Sequence, residues 1–406
     1  MSCLSLKLED TNRFPTLFFS QFYRAHTVIH ILQMSLPSDP ENNGHMKEVP
    51  TVISLPATLF DAMADARALR VAMKGLGTNE KVIIDVLCHR SNAQRQAISE
   101  AFNIEFNRDL VADLKSEVSG KFKSVITSLM LPAVEYCAKE LHEAIKKFAR
   151  KEALLEDISL FGSDSETLSL ASAYETNVMA EILFTRSYEE VVKIANAYNT
   201  KYKIDLKREI KQDISGRVQK IFLKSLQEIK DPTIDSDSVA SAQEEAKLLL
   251  DKVGKEHSST DENPFVNILS YAIQRRRLTS VIFQEYAKIS GEPIEETLKS
   301  QVSEDILFCL LEIVKIVRNR PAYFAERLEL AMRGLSTDHN TLIRIIVSRS
   351  EIDLANIKLE YERIYGKTLY GSVENATSGD YRRSLLALIG PPALNHEIAV
   401  PPIFFM

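Results

Sequence analysis

Four segments of the chain, Ala101–Leu114, Ala197–Ile210, Glu285–Leu298 and Glu360–Val373, align without a gap and carry apolar residues at the same places. Phe102, Phe106, Leu110 and Leu114 form a column in the first. Tyr198, Tyr202, Leu206 and Ile210 match it in the second, Tyr286, Ser290, Ile294 and Leu298 in the third, and Tyr361, Tyr365, Leu369 and Val373 in the fourth. Spacing by four lays side chains along one helix face, and a helix-to-helix break is expected near Arg108, Asp205, Pro293 and Thr368. These aromatics read as core, not as a ligand site. A serine follows each column at the same offset (Ser119, Ser215, Ser303, Ser378) and marks one shared turn.

A second shared element precedes each column: Ile83–Ser91, Glu181–Ser187 and Ile343–Ser350 end in Arg-Ser, whereas Asn267–Ile273 does not. Each copy is thus several short amphipathic helices that must stack on its neighbours to bury their apolar faces. The pattern predicts an all-α protein: an N-terminal arm (1–55), repeats over 56–131, 132–229, 239–317 and 318–391, and a C-terminal tail (392–406). The serine turns are unevenly spaced, which implies insertions. One is expected near 146–174, with Phe148–Phe161 as an extra or extended helix before the polar run Gly162–Glu166; the other includes the linker Lys230–Ser238.

Composition narrows the function. With 45% hydrophobic and 26% charged residues the chain is of the globular class. A formal charge of −6 argues against nucleic acid as a partner, although cations can bridge an acidic protein to an anionic surface. Cys3, Cys88, Cys137 and Cys309 are scattered and read as reduced thiols of a cytoplasmic protein. The longest apolar stretch, Phe14–Met34, is broken by Arg24, His26 and His30, so neither a signal peptide nor a transmembrane segment is expected. His89 reads as a packing or capping residue, and no HExxH, Walker A or GxSxG string occurs, so the chain is not expected to be an enzyme.

Chemistry gathers in one loop. The string Met73-Lys-Gly75-Leu-Gly77-Thr78 precedes the first column and Glu117 follows it. Calcium takes six to eight oxygens, commonly backbone carbonyls plus a carboxylate, and Gly75 and Gly77 let a loop curl its carbonyls toward one point. With that string, Ser91–Gln96, Lys115–Phe122, Arg320–Arg327, Ser348–Leu354 and Thr377–Tyr381 all resemble annexin sequence, over roughly residues 56–390.

The resemblance implies four stacked repeats of five helices in a slightly curved disc, with calcium loops on the convex face docking onto anionic phospholipid. It carries the calcium ligands over to Met73, Gly75, Gly77 and Glu117, with Thr78 and Glu80 matching an accessory site. Peripheral membrane association follows, with the N-terminal arm as a candidate for binding a protein partner. The other copies depart from the pattern. Copy four has Gly334 and Ser336 but Ala376 in the acid column; copy three has His257–Thr260 and Gln301; copy two keeps Asp213 but aligns Ala171–Tyr174 with the loop. One complete site, in repeat one, is therefore expected. The competing reading is a calcium-insensitive scaffold that binds cytoskeletal or other proteins, with Arg275–Arg277 either contacting headgroups or forming a salt-bridged helix face.

Overall fold

The computed structural model describes residues 47–75, 77–159, 165–228, 239–253, 264–272, 274–334 and 336–391, with backbone alone at 153–159, 165–174, 239, 276, 277, 304 and 305. The stretches Gly162–Ser163, Lys230–Ser238 and His257–Thr260, the Phe14–Met34 segment, Cys3 and the C-terminal tail lie outside the described residues.

The helices of the described residues fall into four sets of five. The first is α1 (Ala62–Ala72), α2 (Glu80–Leu87), α3 (Asn92–Phe106), α4 (Leu110–Glu117) and α5 (Gly120–Leu129). The second is α6 (Ala133–Ser159), α7 (Ser165–Phe184), α8 (Tyr188–Tyr202), α9 (Leu206–Asp213) and α10 (Gly216–Ser225). The third is α11 (Val239–Asp251), α12 (Pro264–Ser270), α13 (Arg276–Ser290), α14 (Ile294–Gln301) and α15 (Glu304–Arg318). The fourth is α16 (Arg320–Arg333), α17 (His339–Arg349), α18 (Leu354–Tyr365), α19 (Leu369–Ala376) and α20 (Gly379–Ile389). The described residues form no strand.

The aligned columns are core. Phe102, Leu110 and Leu114 are fully buried, as are Tyr198, Leu206 and Ile210 and their counterparts in the other two copies. The break between third and fourth helices has one construction throughout: Asn107, Lys203, Gly291 and Gly366 stand at the same aligned position, each left-handed with φ of 52°, 57°, 79° and 64°. Asp109, Asp205, Pro293 and Thr368 then cap the fourth helices. The shared serines mark the starts of the fifth helices: Ser119, Ser215, Ser303 and Ser378 stand at their N-cap positions, with no side-chain capping bond.

The Arg-Ser ending also has a physical account. In repeat one Arg90 donates to Asp65 of α1 at 2.7 and 3.0 Å in a buried pair, while Ser91 and Gln94 make a capping box at the start of α3. Ser187 and Glu190 do the same for α8. Repeat three, which lacks the motif, begins α13 at Arg275 with no side-chain cap, and that guanidinium turns to Glu245 instead.

Repeats pack in a fixed pattern. The fourth lays α20 on α2 and α5 of the first, and α17 on α5; the second sets α7 and α10 against α15 of the third; and α17 meets α6 between repeats four and two. Arg95, buried in α3, donates to Glu351 at 2.7 Å across the first of these joints. Arg344 clasps Glu181 at 3.0 Å across the last, with both side chains at most 4% exposed. Residues of the expected arm cross the outside of repeat four: Thr51 and Val52 donate to the Ser350 carbonyl at 2.8 and 2.9 Å, and Leu55 exchanges hydrogen bonds with Gln94 of α3.

The expected extra helix is an extension of α6, which has 27 residues where α1 has 11. The buried pattern Ala66, Leu69, Ala72, Met73 in repeat one is repeated by Ala138, Leu141, Ala144, Ile145. That register sets Lys147 and Ala149 opposite Gly75 and Gly77. Those glycines adopt φ of 122° and 91°, a conformation that L side chains resist. Repeat two therefore continues as helix where repeat one turns. The alignment of Ala171–Tyr174 with the loop is corrected accordingly: these residues lie within α7.

Candidate functional site

Helix α1 stops at Met73, a buried C-cap residue whose backbone N–H donates to the Leu69 carbonyl, while the Lys74 N–H donates to that of Val71. Gly75 and Gly77 then turn the chain through positive φ, with open space where a Cβ would stand. The loop closes when the Asn79 N–H donates to the Ala72 carbonyl at 2.9 Å, and the Asn79 side chain caps α2, whose first residue is Glu80.

The second loop arrives from α4. Glu117 is its last residue, exposed, and its Oε2 accepts a hydrogen bond from Thr78 Oγ1 at 2.9 Å. The glycine turn and the carboxylate expected to act together are thus side by side. Met73 is buried at the C-cap of α1, and Glu80 is the first residue of α2, outside the Thr78–Glu117 bond. Behind them Asp113 pairs with Arg108 at 2.7 Å, and that guanidinium holds its carboxyl below the ordinary range. Among the described residues no three acidic, His or Cys side chains converge into a ready-made metal cage. An ion here would have one charged ligand and would draw the rest from backbone and hydroxyl oxygens, a donor set that suits a hard cation such as calcium.

The fourth repeat copies the frame with Ala376 in the place of Glu117. Asp338 N–H donates to the Ala331 carbonyl at 2.8 Å, as Asn79 does to Ala72, yet Gly334 has φ −71° and a Cβ there would meet the Ser336 carbonyl at 3.3 Å. Thr337 reaches only the Ala376 carbonyl, at 3.4 Å. In the second repeat Lys146 Nζ lies 2.6 Å from both Glu209 and Asp213, so an ammonium already sits on the acid-column carboxylate. Those two carboxylates hold Lys146 above its ordinary pKa. Counting back from the aromatic column missed this lysine; counting forward along α6 from its buried positions would have placed it beside Lys74 of the first loop. In the third repeat Gln301 ends α14, and its partner loop lies outside the described residues.

Cys88, Cys137 and Cys309 are free and buried, and burial pushes the Cys88 thiol up to about 12. His89 is a packing residue whose Nδ1 lies 3.1 Å from the Asp85 carbonyl. No helix among the described residues is long and apolar enough to cross a membrane.

Four five-helix repeats, with a glycine turn facing a carboxylate in the first, define an all-helical repeat protein with one candidate cation loop. The annexin family model matches residues 64–129, 171–224 and 323–388, which fall in the first, second and fourth repeats. Annexin B10 of Drosophila melanogaster is 42% identical over 346 residues, covering 85% of this chain and 98% of that one. Among solved structures, a point mutant of annexin A8 with an intact N-terminus aligns with a TM-score of 0.71 at 38% identity, over 85% of this chain and 99% of that one. Calcium-bound annexin (Sm)1 aligns at 0.68 and 30% identity, over 85% and 93%. The chain belongs to the annexin family, whose common property is calcium-dependent binding to phospholipid.

Proposed function

We propose that this annexin docks on anionic phospholipid through one calcium site, in repeat one, with Met73, Gly75 and Gly77 offering backbone oxygens and Glu117 the carboxylate. Thr78 and Glu80 belong to an accessory position beside it. The observation that carries this reading is the Thr78–Glu117 hydrogen bond, which holds the two loops at ligand-sharing distance. Calcium, when bound, supplies the positive charge to which headgroup phosphate oxygens complete the coordination. The chain's own part is to hold the loop open with two left-handed glycines and to aim an exposed carboxylate at its mouth.

Repeats two and four support a single-site reading from the other side. Lys146 neutralises Asp213, and Ala376 has no carboxylate to offer. Several weak contacts on one rigid body multiply by roughly 10²–10⁴ through effective concentration, a gain that one site lacks. Half-maximal attachment is therefore expected at higher calcium than for a relative with complete loops in several repeats.

The test is co-sedimentation with phosphatidylserine vesicles across a calcium titration. Glu117→Gln keeps the Thr78 hydrogen-bond acceptor and removes the charge, and attachment should fall at least tenfold. Chelator should release the wild-type chain. Attachment that survives both would overturn the calcium-bridged reading in favour of a calcium-insensitive scaffold.

A further inference from the structure

Three of the four repeats place an arginine where the second helix gives way to the third, and each gives it a carboxylate. Arg90 holds Asp65 through Nε and Nη2 at 2.7 and 3.0 Å, Arg349 holds Asp353 through the same two atoms, both at 2.7 Å, and Arg275 pairs with Glu245. Repeat two departs from this. Arg186 stands in the place of Arg90, but the register that matches Ala138 to Ala66 puts Cys137 in the place of Asp65. Cys137 is a free thiol, and burial holds it above its ordinary pKa, so it brings no charge to the guanidinium.

Arg186 is itself buried, at 6% exposure. Its Nη1 donates to the carbonyls of Glu181 and Ile182 at 3.4 and 3.2 Å and to Thr185 Oγ1 at 3.3 Å. Nε and Nη2 form the edge that Arg90 gives to Asp65. Among the described residues they have no hydrogen-bond partner and no carboxylate is paired with them, yet neither atom is sealed in the interior. A buried charge without a counter-charge is costly, and this edge is shaped to take a carboxylate on two parallel hydrogen bonds.

Arg186 lines a cavity of about 280 Å³ where repeats one, two and four meet. Leu129, Val134, Ile194, Val347 and Ile352 give it apolar walls. The two carboxylates that also line it are already engaged: Glu351 accepts from the Asn92 N–H at 2.8 and 2.9 Å and from Arg95 at 2.7 Å, and Glu190 accepts from the Ser187 N–H at 2.8 Å. Arg95, Arg186 and the exposed Lys193 outnumber them, which leaves the lining net positive. Pockets for small ligands run from roughly 300 Å³ upward, mostly apolar with a few placed polar groups, and this cavity stands at the small end of that class.

We propose that the cavity binds a small organic carboxylate with an apolar body, its carboxylate on Nε and Nη2 of Arg186 and its body against Leu129, Val134 and Ile194. The ligand supplies from outside the negative charge that Asp65 supplies from within repeat one. An inorganic anion would gain the charge contact and none of the apolar one, and an apolar cation would meet a like charge. The site is independent of the repeat-one calcium loop.

The experiment titrates octanoate, octylammonium and inorganic phosphate into the full chain by calorimetry, without calcium or lipid. Octanoate should bind at least tenfold more tightly than either of the others. Cys137→Asp gives Arg186 the internal partner that Arg90 has, and should weaken octanoate at least tenfold; Arg186→Gln should weaken it as much, with circular dichroism and melting temperature checking that both variants are folded. Octanoate that does not bind the wild type, that binds no better than octylammonium or phosphate, or that binds a folded Cys137→Asp as tightly as the wild type overturns the proposal. The comparison of the three probes needs only the wild type, so it decides even where a variant fails to fold.

Discussion

Lys203 closes α8 in the left-handed conformation at φ 57°, where two of the other three repeats use glycine and the first uses asparagine. A side chain in that region costs roughly 1–2 kcal/mol, and glycine gives back roughly 0.5–1 of that in backbone entropy. Lys203→Gly should therefore stabilise the protein by about 0.5–1 kcal/mol, read as a raised denaturant midpoint at unchanged slope. Asparagine tolerates the same conformation through its short polar side chain, so Asn107→Gly should move the midpoint by less. Equal shifts at the two positions would mean that backbone strain is not what distinguishes them. The same residue-level logic governs the site: Gly75 at φ 122° and Gly77 at φ 91° turn the loop, and lysine and alanine at the matching places in α6 let the helix run on.

Helices are where the sequence was most readable, because each signal came from a local rule repeated four times. Phe102, Leu110, Leu114 and their copies are buried, and the four serines stand at the N-cap positions of the fifth helices, since both depend only on period and turn chemistry. The glycine turn and Glu117 could be paired for the same reason, by their fixed interval from one column. The second-repeat loop could not, because its insertion falls between the two landmarks used for counting, and the α6–α7 connection depends on how far a helix without glycine continues. The Lys146 contacts were hidden too, as they join residues far apart in sequence through that shifted register. One element-level expectation follows from the capping box: the Ser187 hydroxyl accepts from the Glu190 N–H at 3.3 Å, and Glu190 accepts from the Ser187 N–H at 2.8 Å. Ser187→Ala should cost about 1 kcal/mol, with hydrogen exchange rising first in the opening turn of α8. A rise spread evenly over repeat two would point to packing instead of the cap.

Across the whole molecule, one buried ion pair joins the two halves of the stack. Arg344 of α17 donates three hydrogen bonds to Glu181 of α7, at 3.0, 3.2 and 3.0 Å, from positions at most 4% exposed. Two charges taken out of water gain little net stability from each other, but removing one leaves its partner stranded, at about 3–5 kcal/mol. Arg344→Met should therefore destabilise by that amount and loosen α6, α7 and α17 together, because α17 also packs on α6. Adding Glu181→Leu should recover most of the loss, since both charges are then gone and apolar volume replaces them. Thermal unfolding of the two single variants and the double variant measures the coupling directly. If the double variant is instead less stable than Arg344→Met, the interface depends on a polar contact that the leucine cannot replace, and the joint between repeats two and four is specified by Glu181 itself and not by its pairing.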